Sequence, residues 1–186
     1  SYYGRRTPIG ILLQNRAEGM ETRVGVVGMG IGTLSAYGRS GDFFRFYEID
    51  PAVVRIALNS NYFTMISSSK ATIEIVEGDG RLALESELGH GTSSFFDILV
   101  LDAFNSDAIP LHLLTSEAFE IYRHALAPDG ILALHISNRF LRLAAPIAKV
   151  SGSVGMTLLY AQSYDLPEDL SGFSQWVFVS PSVDRL

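Results

Sequence analysis

Val24-Gly25-Val26-Val27-Gly28-Met29-Gly30-Ile31-Gly32-Thr33-Leu34 decides the fold: an apolar, β-branched run breaks into glycines and resumes as a helical pattern. Glycine is required where the backbone turns sharply and a ligand must approach with no Cβ in the way. The spacing is Gly-x-Gly-x-Gly, and Thr33 stands where the dinucleotide fingerprint would place its third glycine. That favours an adenosyl-sulfonium nucleoside over NAD and disfavours a nicotinamide-linked oxidoreductase. Taken alone, the loop is also consistent with a tight turn that only packs strand on helix.

Three acidic strand ends follow. Phe46-Tyr47-Glu48-Ile49-Asp50 places Glu48 at the carboxyl end of a second strand, where a carboxylate accepts hydrogen bonds from both hydroxyls of a ribose. Asp50 reads as a helix cap instead, because Pro51 follows it. In Glu77-Gly78-Asp79-Gly80-Arg81, Asp79 either caps the next helix or accepts from an adenine amino group, and Gly80 joins the nucleoside-binding set with Gly28, Gly30 and Gly32. The fourth strand, Asp97 to Leu101, runs into Asp102, placed to take a proton from an attacking amine. Asp107 lies near enough to help hold a cation, although Asn105-Ser106-Asp107 is also good turn chemistry. In open α/β sheets such strand ends converge on one crevice.

The surrounding chain agrees with one layered domain. It has 186 residues and 20.3 kDa, is 47% hydrophobic and 18% charged, and so is neither disordered nor long enough for two full domains. A net charge of −6 with a pI near 5.1 argues against nucleic acid and suits a cationic or neutral small partner. The absence of cysteine removes disulfides, thiolate metal sites and a cysteine nucleophile. No apolar run reaches membrane-spanning length, the run Gly10 to Leu13 is too short for export, and an opening at Ser1 without Met suits a piece of a longer chain.

Periodicity predicts strands over Arg23–Val27, Phe43–Ile49, Ala71–Val76, Asp97–Leu101, Ile131–Ile136, Thr157–Gln162 and Gln175–Ser180. Helices are expected from Pro51 to Tyr62, over Gly80–Leu88, from Thr115 or Ser116 to a stop at Pro128-Asp129-Gly130, and over Arg139–Val150 with a kink at Pro146; Thr33–Tyr37 is a shorter one. A long loop, Ser163 to Ser174, joins the last two strands. The expected fold is α/β: a seven-stranded Rossmann-like sheet, mostly parallel, with a C-terminal antiparallel hairpin. Residues 1–22 read as a lead-in segment and 23–186 as a single nucleoside-binding, catalytic-type domain.

The ordered succession Gly-x-Gly-x-Gly, Glu-Ile-Asp-Pro, Gly-Asp-Gly and Phe-Asp-Ile-Leu-Val-Leu-Asp resembles the catalytic domain of the spermidine/spermine synthase family, the polyamine aminopropyltransferases, from about Arg23 to Ser180. The resemblance implies the methyltransferase/spermidine synthase fold, with Glu48 on the ribose, Asp79 on the adenine and Asp102 as the base that frees a polyamine nitrogen. It implies decarboxylated S-adenosylmethionine as co-substrate, a polyamine or other amine acceptor, no metal and no nucleic acid, a homodimer, and a cytoplasmic location, alone or as the cytosolic domain of a membrane-anchored parent. The segments Asp102 to Thr115 and His135-Ile136-Ser137-Asn138-Arg139 resemble a bacterial synthase-like branch, some of whose members carry membrane-spanning segments ahead of this domain. Where the family has an acidic residue in the glycine loop, this chain has Ile31, which keeps S-adenosylmethionine-dependent methyl transfer as the runner-up. A non-catalytic adenosyl-ligand-binding domain is the rival from another class. The family's substrate-covering segment has no counterpart before Arg23.

Four scattered histidines lack metal-ligand spacing. His135 either lines an acceptor pocket or is a buried, backbone-bonded histidine. Trp176 reads as core, Ser137 lacks a nucleophile elbow, and Tyr2-Tyr3 reads as a lid or partner contact.

Overall fold

The computed structural model describes residues 2–17, 19–90, 96–104, 109–138, 142–164 and 172–186. Its elements, in chain order, are α1 (Pro8–Gln14), β1 (Arg23–Val27), a 3-10 turn (Thr33–Tyr37), β2 (Phe43–Glu48), α2 (Pro51–Ala57), β3 (Thr72–Glu77), α3 (Gly80–Gly89), β4 (Phe96–Leu101), α4 (Ser116–Ala125), β5 (Leu126–His135), α5 (Ala144–Ser153), β6 (Thr157–Ser163) and β7 (Ser174–Ser180). The seven strands form one sheet in the order β3-β2-β1-β4-β5-β7-β6. β1 to β5 pair in parallel, and β7 inserts antiparallel between β5 and β6. The expected α/β sheet with a terminal antiparallel hairpin is the one observed.

Helices cover both faces, which is why β1, β4 and β7 are buried almost throughout instead of alternating. One core packs Leu99, Leu101, Phe119, Tyr122 and Leu132 beneath α3, α4 and α5; the other packs Ile9, Leu13, Phe44, Phe46 and Val100 beneath α1 and α2. Local chemistry sets the helix starts. Asp50 accepts from the Ala52 N–H, Asp79 from Leu82 and Thr115 from Ala118, each supplying one partner for an orphaned first-turn donor.

Several boundaries differ from expectation. The second helix stops at Ala57 instead of Tyr62. α4 ends at Ala125, before Pro128-Asp129-Gly130, because Leu126 already pairs with Phe96; the register then slips, and pairing resumes at Ile131 with Ile98. Pro128 to Gly130 thus form an irregularity in β5, and Gly130 fits there because a Cβ would lie 2.9 Å from the Phe96 carbonyl oxygen. Of the helix expected over Arg139–Val150, residues 139–141 lie outside the described residues; α5 begins at Ala144, so Pro146 falls in the first turn, where a missing N–H costs nothing and no kink is needed. Most of the 163–174 loop lies outside the described residues.

The lead-in carries a helix that sequence did not predict. Thr7 caps α1, Ile9 and Leu13 are fully buried, and Arg16 forms an ion pair at 3.0 Å with Asp42, both side chains being almost completely enclosed. Burial lowers the affinity of the Arg16 guanidinium for its proton, and the Asp42 carboxylate opposes that. Asp42 also accepts the N–H groups of Thr22 and Arg39, so it fixes the β1 and β2 entrances as well. Asp42→Ala is expected to lower stability by about 3–5 kcal/mol, because it leaves a buried guanidinium uncompensated. Urea denaturation checks this, and a loss below about 1 kcal/mol would contradict the anchoring role.

Candidate functional site

The site forms where the carboxyl ends of β1, β2, β3 and β4 emerge together, because these strands run parallel and in register: Val27 pairs with Tyr47 and Leu101, and Glu48 with Glu77. The ladder continues one residue past β1. Gly28 donates its N–H to the Tyr47 carbonyl at 2.9 Å, and Asp102 donates its N–H to the Val27 carbonyl at 2.8 Å. Gly28 is thereby drawn between the second and fourth strand ends with φ at +94°, and a Cβ there would lie 2.5 Å from the Asp102 carbonyl oxygen. Gly30 also has a positive φ, but the space around it is open. Gly32 has φ +75° and would press a Cβ onto Ile66.

Glu48 is 8% exposed and rigidly held. Its Oε2 accepts the Met29 N–H of the glycine loop at 2.9 Å, and its Oε1 accepts the Asp50 N–H at 3.0 Å. Since each carboxylate oxygen has two lone pairs, acceptor capacity remains for a diol. Asp79 is the α3 cap, and its other oxygen lies 3.1 Å from Nε2 of His112. Gly80 sits so close to β1 that a Cβ would meet Val27 Cγ1 at 2.7 Å, which makes it a packing glycine that also lines the cleft.

Asp102 has an 8% exposed side chain, and both of its oxygens are engaged. Tyr3 donates its hydroxyl to Oδ2 at 2.6 Å, and Nδ1 of His135 lies 2.7 Å from Oδ1. Burial and the adjacent Asp102 charge push the Tyr3 phenol well above its ordinary pKa, so it stays a protonated donor. Tyr2 packs against His135, with ring centroids 5.5 Å apart. Tyr2 and Tyr3, read from sequence as a lid or partner contact, lie over the site, 99 residues from Asp102 in the case of Tyr3. No local signal in the sequence could have placed them there. Trp176 is core, fully buried, and stacks on His135. His135 is 3% exposed, as the buried reading anticipated, but its ring bonds side chains instead of backbone. Asp107 lies outside the described residues.

Two cavities meet at this point. One, of about 330 Å³, is lined by Gly28, Glu48, Asp79, Gly80, Asp102 and His112 among others. The second, of about 250 Å³, is lined by Tyr2, Tyr3, Met29, Ile31, Phe46 and Asp102 among others. Gly28, Gly30 and Asp102 belong to both and form the ridge between them. Of the eight positions singled out from sequence, the seven that lie among the described residues all fall in this region, and Gly32 is the one of these seven that supports the loop without lining either cavity.

No family model matches the chain. It is 29% identical over 143 residues to a polyamine aminopropyltransferase from Vibrio vulnificus (strain CMCP6), a match covering 74% of this chain and 43% of that protein, so the chain spans less than half the length of that relative. In fold it is similar to human methyltransferase-like protein 13, solved in complex with SAH, with a TM-score of 0.69 at 17% identity over 94% of this chain and 76% of the other. It is likewise similar to the spermidine synthase of Thermotoga maritima, with a TM-score of 0.64 at 18% identity over 89% of this chain and 56% of the other. The resemblance read from the motifs therefore holds in sequence and in fold.

Gly28→Ala is expected to lower stability by about 1–3 kcal/mol, since the methyl group meets backbone atoms that cannot yield locally. Gly30→Ala, with open space around it, should cost about 1–2 kcal/mol at most from the left-handed backbone alone. Chemical denaturation of both variants checks the order, and an equal or reversed ranking would contradict the close approach of β1 and β4.

Proposed function

We propose that the chain is an aminopropyltransferase-like enzyme that moves an aminopropyl group from decarboxylated S-adenosylmethionine to a polyamine amine. The observation that carries this reading is the shared ridge: Asp102 is a wall of both cavities, so a base stands between a nucleoside compartment and a second compartment. In the first, Glu48 would accept the ribose hydroxyls and Asp79 the adenine amino group, while Gly28 and Gly30 keep the loop free of side chains at the ridge. The donor is a co-substrate, and no residue is assigned to a metal.

The acceptor amine would attack the aminopropyl carbon that is bonded to the sulfonium sulfur. A C–N bond forms, the C–S bond breaks, and its electron pair leaves with the neutral thioether. The N–H proton passes to Asp102. Positioning and the negative field of Glu48, Asp79 and Asp102 supply most of the acceleration, since the reaction joins two cationic partners. The −6 net charge suits such an acceptor. Residues 23–186 act as the nucleoside-binding unit, the lead-in adds Tyr2 and Tyr3, and the unit works in the cytoplasm as a homodimer. Among the described residues no helix is long and apolar enough to cross a membrane.

Methyl transfer from S-adenosylmethionine is the second reading, and Ile31 favours it. This residue lines the second cavity and is 37% exposed, so an apolar side chain stands where the family resemblance implies a carboxylate for the aminopropyl amine.

Incubation with each sulfonium donor and either putrescine or spermidine, followed by mass spectrometry, separates the two readings. Aminopropylated product is expected, and methylated product alone would transfer the assignment to the runner-up. Asp102→Asn should lower kcat by about 10²–10⁴-fold while leaving calorimetric binding of the adenosyl ligand unchanged. An unaltered kcat would remove Asp102 from the chemistry.

A further inference from the structure

We propose that His135 is a positioning residue of this site: through Nδ1–H it pins one oxygen of Asp102, so that the other, bonded by Tyr3, keeps its remaining lone pair at the second cavity. The inference rests on Asp102 being the base.

The geometry is unusually complete for a histidine that lines neither cavity. Its ring lies 4.5 Å from the Trp176 ring and within 8° of parallel, on a directly paired residue of β7. Phe104 meets it edge-on at 5.1 Å. Nε2 lies 2.8 Å from Oγ of Ser137, and that Oγ accepts the Gln175 N–H at 2.8 Å. A hydroxyl has one hydrogen and two lone pairs, so Ser137 can still either donate to Nε2 or accept from it. Oδ1 of Asp102, 2.7 Å from Nδ1, is a carboxylate oxygen that only accepts, so it is this contact that places the hydrogen on Nδ1.

Asp102, His135 and Ser137 thus follow one another as in a serine-nucleophile triad, but the direction of service is reversed. Ser137 is tied to the β7 backbone and lines neither cavity at Asp102, whereas Asp102 lines both. The chain therefore orients the carboxylate and leaves the hydroxyl without a reacting partner. Every link is braced by the sheet: His135 ends β5, and Trp176 and Gln175 belong to β7. With Oδ1 held, the carboxylate cannot rotate, and Oδ2 stays on the Tyr3 side, at the second cavity. Errors of about 1 Å in such a group cost on the order of 10²-fold in rate.

Two variants separate positioning from packing. His135→Asn keeps an N–H donor where Nδ1 stands and loses the stacked ring. His135→Phe keeps the ring and loses the donor. With thermal unfolding confirming that both fold, His135→Phe is expected to lower kcat by about 10–100-fold with KM for the adenosyl donor within about two-fold, and His135→Asn to recover most of that loss. Equal losses, no loss, or a larger loss in His135→Asn would each overturn the proposal. A readout independent of turnover is the ¹⁵N imidazole spectrum of the full chain. An exchange-protected Nδ1–H on His135 that persists in Ser137→Ala and vanishes in Asp102→Leu is the expected result, and a neutral Nε2–H tautomer in the wild-type chain would overturn the proposal. Absence of any transfer product from the wild-type chain would count against the proposed reaction, and the spectrum would still decide the role of His135.

Discussion

A side chain at position 28 has nowhere to go, and the rest of the site follows from that. The β1 ladder runs one residue past its strand, so Gly28 is bonded to Tyr47 on one side while Asp102 is bonded to Val27 on the other. The backbone just past β4, at Asp102, comes within 2.5 Å of where a Cβ would be. That closeness brings Glu48 and Asp102, which belong to strands on opposite sides of β1, to the two flanks of one loop. Glu48 then grips the loop through the Met29 N–H, so loop and carboxylate hold each other in place. The cost is a backbone that L-residues rarely adopt, and glycine alone avoids it.

From this constraint comes the division of space. The ridge of Gly28, Gly30 and Asp102 separates a compartment walled by Glu48 and Asp79 from one walled by tyrosines and Ile31. Asp102 is the point at which the two communicate, and its environment is correspondingly elaborate: a phenol kept protonated by burial, an imidazole wedged between Trp176 and Phe104, and a hydroxyl fixed to β7. The antiparallel hairpin is therefore part of the site's support, because β7 provides both the stacking ring and the backbone donor.

Much of this was legible in the chain. β1 was read from Arg23 to Val27 as observed, because a continuous apolar run bounded by glycine has few other solutions. Glu48 and Asp102 were readable for a related reason: parallel strands deliver their last residues to one edge, so an acidic residue just past an apolar run must lie there. Boundaries failed where sequence carried two compatible signals. Pro146 suits a kink as well as a first turn, and Pro128 to Gly130 suit a helix stop as well as a strand irregularity. The long-range placement of the lead-in was not legible. Nothing in Ser1-Tyr2-Tyr3-Gly4 specifies Asp102 as a partner, since the approach depends on α1 docking through Ile9, Leu13 and the Arg16–Asp42 pair. His135 was visible as a candidate, but its bond to Asp102 needed the register of β4 against β5.

The measurement that tests the account most directly is a crystal structure with 5′-methylthioadenosine, the thioether nucleoside that aminopropyl transfer would release. The account predicts the ribose hydroxyls on Glu48, the purine beside Asp79 and the sulfur on the Gly28–Gly30 ridge facing Asp102. A nucleoside bound elsewhere, or one in this cleft with its sulfur turned away from Asp102, would contradict it.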